Sequence, residues 1–341
     1  MTTRVRTVVV GSGYWGINYV RLLTHFPGAE LVSVCEQSEK RLEETAARFP
    51  SVRLFENLDD VFAEDDFDAA IICTNPSSHY AIAKRFLEAG KHVLVEKPLT
   101  TCSTEAQELC DLAGQKNLTL MVGHIFLFNS GIEKVKAYIE AGSLGDIYYL
   151  YARRTNLGPI RNDVNACWDL APHDISIFNF FMDATPQWVS ATGAGFLRKD
   201  CIDAAFIVLG YPNGILGNIH VSWADPNKVR EVVVVGSEQR VLFNDISPQQ
   251  KVTIYKKGIA ASSLPFLSYG DYQFSLRDGD IYSPSFVSVE PLKKQLIHFI
   301  ECVQKREKPL PDGKSGVNVV KVLEAVDASI KENGKPISLR W

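Results

Sequence analysis

The stretch "VRTVVVGSGYWGINYVRLLTHF", residues 5–26, decides the fold. Its first six residues are mostly β-branched and too few for a helix, so they read as a buried strand. Gly11-Ser12-Gly13-Tyr14-Trp15-Gly16 follows at once, and after it apolar residues recur at helical spacing. Strand, glycine turn and helix in that order suit a turn wrapped on an anion. Gly11 permits the tight turn, Gly13 lets the backbone approach a pyrophosphate, and Gly16 lets helix and strand pack closely. The helix then offers its unpaired N–H groups to the phosphate. A second strand, "ELVSVCE", ends in Glu36, 20 residues beyond Gly16. A carboxylate there accepts both ribose hydroxyls and would repel a 2′-phosphate at 4 Å by about 4 kcal/mol per unit charge. Neither Gln37 nor Ser38 supplies an offsetting cation, so the expected cofactor is NAD rather than NADP.

Outward from this unit the pattern repeats. "FDAAIICT", "HVLVEK" and "LTLMVG" read as further buried strands, separated by segments with helical spacing. Ser38, Ser77 or Ser78, and a Thr104/Gln107 capping box are candidate helix starts, and Gly90 a helix end. Strands buried on both faces and joined by helices predict a parallel, doubly wound Rossmann sheet. Past "SGIEKVKAYIEAGSLG", a helix closed by Gly142, the grammar changes. "IYYLYARR", "AAFIVLGY", "GILGNIHVSW", "REVVVVG" and "QRVLFN" are strand-like and separated by turn signals, the pattern of a largely antiparallel open sheet. A helical block at about 170–182 interrupts it, and two more helices close the chain. The expected fold class is α/β: an NAD-binding Rossmann domain over 1–124, then an α+β domain over 125–341.

Composition narrows the function. With 341 residues, 46% hydrophobic and 22% charged, the chain has the make-up of a two-domain soluble protein. A net charge of −4 offers no basic stripe for nucleic acid and no polybasic patch for a membrane. The apolar run at the N-terminus is too short for a signal peptide, and no run of about 18 apolar residues predicts a membrane span. Cys35, Cys73, Cys102, Cys110, Cys167, Cys201 and Cys302 are scattered and odd in number, which reads as reduced thiols in a cytoplasmic protein. No cluster has metal-ligand spacing, so no metal is expected.

Two further segments carry chemistry. "VEKPLT" puts Glu96-Lys97-Pro98 at the carboxyl end of the fourth strand, where ligands of doubly wound sheets bind. "WDLAPHDISIF" sets Asp169 and His173 four apart, on one face if helical. Taken alone, the segment is better read with Asp169 as an N-cap and His173 as an incidental first-turn residue, Pro172 marking the helix start. Beside a nicotinamide cleft the pair reads as a base and its orienting carboxylate.

These ordered motifs resemble the Gfo/Idh/MocA oxidoreductases over nearly the whole chain. The resemblance implies that Lys97 is the lysine that bonds the reacting oxygen. Thr74, Asn75, Pro76 and His79, in "CTNPSSH", match the loop lining the cofactor, and Glu96 the residue near the nicotinamide ribose. Asp169 and His173 match the family's Asp-x-x-x-His pair. It further implies a homodimer or homotetramer formed through the outer face of the second-domain sheet. On this basis His173 takes the alcohol proton, Asp169 orients it and Lys97 stabilises the oxyanion, although Lys97 and His173 both remain candidates for the formal base. The segment "TNLGPIRNDVNACWDLAPHD" also resembles the subgroup acting on nucleotide-activated amino sugars, such as UDP-N-acetylglucosamine 3-dehydrogenases. Arg161 suits a phosphate or carboxylate, and Asn165 suits sugar hydroxyls or an acetamido group. His124, after the fifth expected strand, reads equally as a substrate contact and as a satisfied core histidine. Oxidation of a free polyol or aldose, reduction of a 3-ketosugar, and NAD sensing without turnover are the competing readings.

Overall fold

The computed structural model describes residues 4–64, 66–158, 160–261 and 274–341. Contacts divide the chain into one unit of residues 1–128 and 289–324 and a second of residues 129–288 and 325–341.

The first unit alternates β1 (Val5–Val10), α1 (Gly16–Leu23), β2 (Ala29–Cys35), α2 (Glu39–Arg48), β3 (Arg53–Phe55), α3 (Leu58–Glu64), β4 (Ala69–Ile72), α4 (Pro76–Glu88), β5 (His92–Glu96), α5 (Ser103–Gln115) and β6 (Leu120–Gly123). The six strands pair in the order β3-β2-β1-β4-β5-β6, all parallel. The order reverses between β1 and β4, and a cleft for a dinucleotide opens at such a reversal, beyond the carboxyl ends of the strands. β4 and β6 are buried along their whole length, as strands covered by helices on both faces must be. The short β3 and α3 escaped the sequence reading. Three half-exposed residues at a sheet edge give no apolar run to detect.

The second unit carries α6 (Ser130–Glu140), β7 (Ile147–Thr155), α7 (Ala166–Met182), β8 (Trp188–Ala194), β9 (Ala204–Gly210), β10 (Leu216–Ser222), β11 (Val229–Gly236), β12 (Arg240–Asn244) and β13 (Val252–Tyr255). A small hairpin of β14 (Gly258–Ala261) and β15 (Phe274–Arg277) precedes β16 (Ile281–Tyr282). After α8 (Pro291–Lys305) and α9 (Gly313–Lys331), β17 (Ile337–Ser338) completes a nine-stranded sheet, ordered β16-β13-β12-β11-β7-β10-β9-β8-β17. Every pairing in it is antiparallel except β7 with β10. The helix α7 packs on β7, β9 and β10.

Several expectations are corrected here. A single cut at 124/125 does not describe the division. Leu292, Leu296, Phe299 and Ile300 of α8 bury in one cluster with Val5, Val9, Tyr19 and Leu23, because the Rossmann sheet needs cover that its own crossover helices do not complete. The helix α4 starts at Asn75 with Pro76 in its first turn, not at Ser77 or Ser78. The Thr104/Gln107 box does not form: α5 begins at Ser103, whose N–H donates to Glu324 at 2.8 Å, while Gln107 bonds Asp111. The helix α7 begins at Ala166 and carries Pro172 in its interior. An interior proline costs a helix about 3 kcal/mol, which burial of Ile175, Phe178 and Phe181 offsets at roughly 1.5–3 kcal/mol per side chain.

Candidate active site

In the first unit the strand ends assemble a surface for a dinucleotide. Gly11 has φ +89°, and an added Cβ would lie 3.0 Å from the Cys73 carbonyl. A Cβ on Gly16 would overlap the Gly11 carbonyl oxygen, so α1 can start this close to β1 only with glycine here. A Cβ on Gly13 would meet nothing but the tip of Arg41, at 3.4 Å, which leaves its backbone approachable. No side chain caps the start of α1, and its Ile17 and Asn18 N–H groups donate to the Gly13 and Trp15 carbonyls at 3.2 and 3.0 Å. Tyr14, 91% exposed, stands at the rim of this turn.

Glu36 is nearly buried and accepts from Ser12 N–H at 2.9 Å and from Ser38 N–H at 3.0 Å, one on each oxygen. The glycine turn and the Glu36 carboxylate are therefore one hydrogen-bonded piece. Arg41 lies 3.8 Å from the same carboxylate. It lies beyond residues 37 and 38, the two positions next to Glu36 that carry no cation. A position in the first turn of the following helix would have been the place to look.

Around Lys97 the polar groups are tightly organised. Glu96 is buried and accepts from the Trp15 indole at 2.7 Å, the Tyr19 hydroxyl at 2.8 Å and Lys97 N–H at 3.2 Å. Burial pushes its carboxyl above the usual range, against the pull of those hydrogen bonds. Glu96 thus ties Trp15 and Tyr19 to the Lys97 backbone, and Lys97 itself is half-buried. His79 is fully buried, with its ring nitrogens 2.8 Å from the Pro98 carbonyl and 3.1 Å from the Thr74 carbonyl. It clamps the loop after β4 to the Glu96-Lys97-Pro98 turn, a scaffolding place where the resemblance implied a cofactor contact. Within that loop Thr74 is half-buried, Asn75 exposed and Pro76 buried. His124 follows β6 and is fully buried, and among the described residues neither ring nitrogen has a hydrogen-bond partner. Burial first, and then the Lys97 charge, lower it from 6.5 to about 3, so it is neutral at physiological pH.

In the second unit α7 presents Asp169 and His173 on one face, four residues apart. Asp169 accepts from the Trp223 indole at 3.2 Å and lies 3.5 Å from Arg161 Nη1. Its reading as an N-cap is corrected. Asn165 holds that position, its Oδ1 accepting Trp168 N–H at 3.1 Å. Asn165 also reaches Asp327, which takes the Trp168 indole N–H at 2.7 Å. The amide expected to meet sugar hydroxyls therefore serves the helix start. Arg161 forks onto Asp163 at 3.0 and 2.6 Å and is not the uncommitted cation a phosphate would need. Of the two neighbouring arginines, Arg154 points inward and forks onto Asp174 of α7 at 2.9 and 2.8 Å, while Arg153 stays exposed beside Glu231. Among the described residues no three His, Cys, Asp or Glu side chains group to hold a metal ion, and no helix is long and apolar enough to cross a membrane.

Comparison with known proteins finds matches to both parts of the chain. Residues 5–124 match the Gfo/Idh/MocA oxidoreductase family, NAD-binding Rossmann fold, and residues 132–242 its C-terminal domain. The chain is 26% identical over 353 aligned residues to scyllo-inositol 2-dehydrogenase (NAD(+)) of Bacillus subtilis, covering 99% of this chain and 97% of that protein. It is 31% identical over 221 residues to UDP-N-acetylglucosamine 3-dehydrogenase of Acidithiobacillus ferrooxidans, covering 64% and 67%. GenD2 from gentamicin A biosynthesis, solved in complex with NAD, shares the fold with a TM-score of 0.84 at 22% identity, covering 100% of this chain and 98% of that one.

Proposed function

The chain belongs to the Gfo/Idh/MocA family of NAD-dependent oxidoreductases, and from that premise we propose that it oxidises the 3-hydroxyl of a nucleotide-linked amino sugar such as UDP-N-acetylglucosamine. The observation that carries this reading is the anchored Asp169 on the same face of α7 as His173. An oxidised secondary alcohol must lose a proton, and a part-buried imidazole beside a carboxylate is suited to take it. His173 accepts the hydroxyl proton, Asp169 orients the ring, and Lys97 donates a hydrogen bond to the oxygen as negative charge builds on it. Gly11, Gly13, Gly16 and Glu36 hold the dinucleotide, with the uncapped start of α1 facing its phosphates. Bound NAD supplies the hydride acceptor. The choice of a nucleotide sugar is supported by the 31% identity to a UDP-N-acetylglucosamine 3-dehydrogenase.

A second reading has its own support. The near full-length match to an inositol dehydrogenase favours a free cyclitol or aldose. NADH formation from UDP-N-acetylglucosamine, scyllo-inositol, myo-inositol and glucose separates the two. Turnover of the inositols alone would reject the nucleotide sugar, and NADH consumption with a 3-ketosugar but no forward turnover would reverse the direction. Lys97→Ala is expected to lower kcat by about 10²- to 10⁴-fold, and near-normal turnover in that variant would discard the mechanism.

The outer face of the second sheet supports self-association. Tyr149, Leu216 and Phe206 are 45%, 45% and 52% exposed, and the strand register sets Tyr149 opposite Leu216 and Phe206 opposite His220 on that face. The protein is expected to elute as a dimer or tetramer, and Phe206→Glu to shift it toward the monomer.

A further inference from the structure

The carboxylate of Asp169 is held from outside its own helix by two donors, one to each oxygen. Trp223 Nε1 is 3.2 Å from Oδ2, and Arg161 Nη1 is 3.5 Å from Oδ1. Neither donor is loosely attached. Trp223 is 1% exposed, and its backbone N–H donates to the Asp203 carbonyl at 2.8 Å. Asp203 in turn accepts Phe196 and Leu197 N–H at 2.7 and 2.6 Å. The Arg161 carbonyl accepts from Arg198 Nη2 at 2.6 Å, and its guanidinium forks onto Asp163. Arg161, Asp163 and Asp169 are 29%, 21% and 18% exposed, so solvent competes little for these contacts. The cluster of one guanidinium and two carboxylates already carries a net negative charge. A substrate diphosphate would have to displace a carboxylate to reach Arg161. Since a carboxylate has about four acceptor sites, Asp169 can hold both donors and still accept from an imidazole.

We propose that Arg161 and Trp223 are positioning residues, which fix the Asp169 carboxylate and through it the His173 ring one turn along α7, and that Arg161 does not bind substrate phosphate. This rests on the reading of Asp169 and His173 as the acid–base pair, but not on which sugar is the substrate. A carboxylate gripped at both oxygens cannot rotate, and an imidazole that donates to it would keep one tautomer and one orientation.

The test has a spectroscopic arm and a kinetic arm. In NAD-loaded protein with isotope-labelled histidine, the ring-nitrogen resonances of His173 are assigned with His173→Asn. They are expected to move in Arg161→Ala and in Trp223→Phe, while those of the other six of the seven histidines stay in place. Asp163→Asn, which removes only the outer arm of the fork, is expected to move the same signals less and serves if Arg161→Ala does not fold. His173 signals that stay put in these variants overturn the proposal. With UDP-N-acetylglucosamine, kcat is expected to fall by about 10- to 100-fold in both variants with KM within about twofold. A raised KM with unchanged kcat in Arg161→Ala would make Arg161 a phosphate ligand instead. If the wild type turns over scyllo-inositol and not the nucleotide sugar, the substrate reading fails alone, and the same split and the same resonances still decide the positioning role.

Discussion

Glu36, proposed to meet the cofactor ribose, is faced by Arg41. The carboxylate has one backbone N–H on each oxygen and a guanidinium 3.8 Å away, so its removal would leave a cation unopposed where a 2′-phosphate would lie. Glu36→Ser is therefore expected to shift the ratio of kcat/KM for NAD to that for NADP by about 100-fold toward NADP. An unchanged ratio would show that neither group reads the ribose. His124 makes a different prediction. Its folded value, about 3, lies below its ordinary 6.5, so between these pH values the unfolded chain binds a proton that the folded chain does not. Stability from this residue is thus intact above about pH 6.5 and falls as the pH drops, by up to about 1.4 kcal/mol per pH unit. Urea midpoints of the wild type should decline from pH 7 to pH 5, and His124→Leu should flatten part of that decline. His92, also lowered chiefly by burial, contributes in the same direction in both proteins and does not alter the comparison.

At the level of elements, α7 carries the proposed acid–base pair of the second unit, and its start sets where Asp169 and His173 lie. Asn165 caps it and Asp327 of α9 ties the cap and Trp168 down. Asn165→Ala is expected to cost about 1–2 kcal/mol in denaturant unfolding, with KM for the sugar little changed. A substrate-binding asparagine would give the opposite pair of results. The periodicity of "WDLAPHDISIF" announced a helix, and Pro172 placed its start a turn too late. Proline disfavours an interior position locally, and that local cost is overridden by an apolar surface buried nearly all round. The five strands of the parallel sheet that were anticipated run four to seven residues and are mostly buried Val, Ile, Leu and Ala. β3, β8 and β17 were not, since pairing with a neighbour, rather than an apolar run of their own, makes them strands.

For the whole molecule, the return of residues 289–324 to the first unit has a direct consequence. Leu296, Phe299 and Ile300 of α8 are at most 1% exposed in the cluster that contains Val9 and Tyr19, and Gln295 donates to the Tyr19 hydroxyl. A chain ending at Ser288 would expose the β1–α1 layer on which the glycine turn stands. It is expected to lose NAD binding, whereas a fusion of residues 1–128 to 289–324 retains it. Binding by the shorter chain, measured by calorimetry, would show that α8 is dispensable to the cofactor surface.

The parallel sheet, the glycine turn, Glu36 as its carboxylate, and Lys97 at a strand end were legible in the order of residues alone. Each of these depends on residues within one strand–turn–helix unit, where spacing along the chain is spacing in space. The engagement of Arg161 with Asp163 and Asp169, the caging of Asp169 by Trp223, the burial of His79 and His124, and the return of α8 were decided only in the tertiary structure. They depend on side chains that long-range packing brings together, and the type and spacing of residues along a chain carry no record of which distant partner will satisfy a charge.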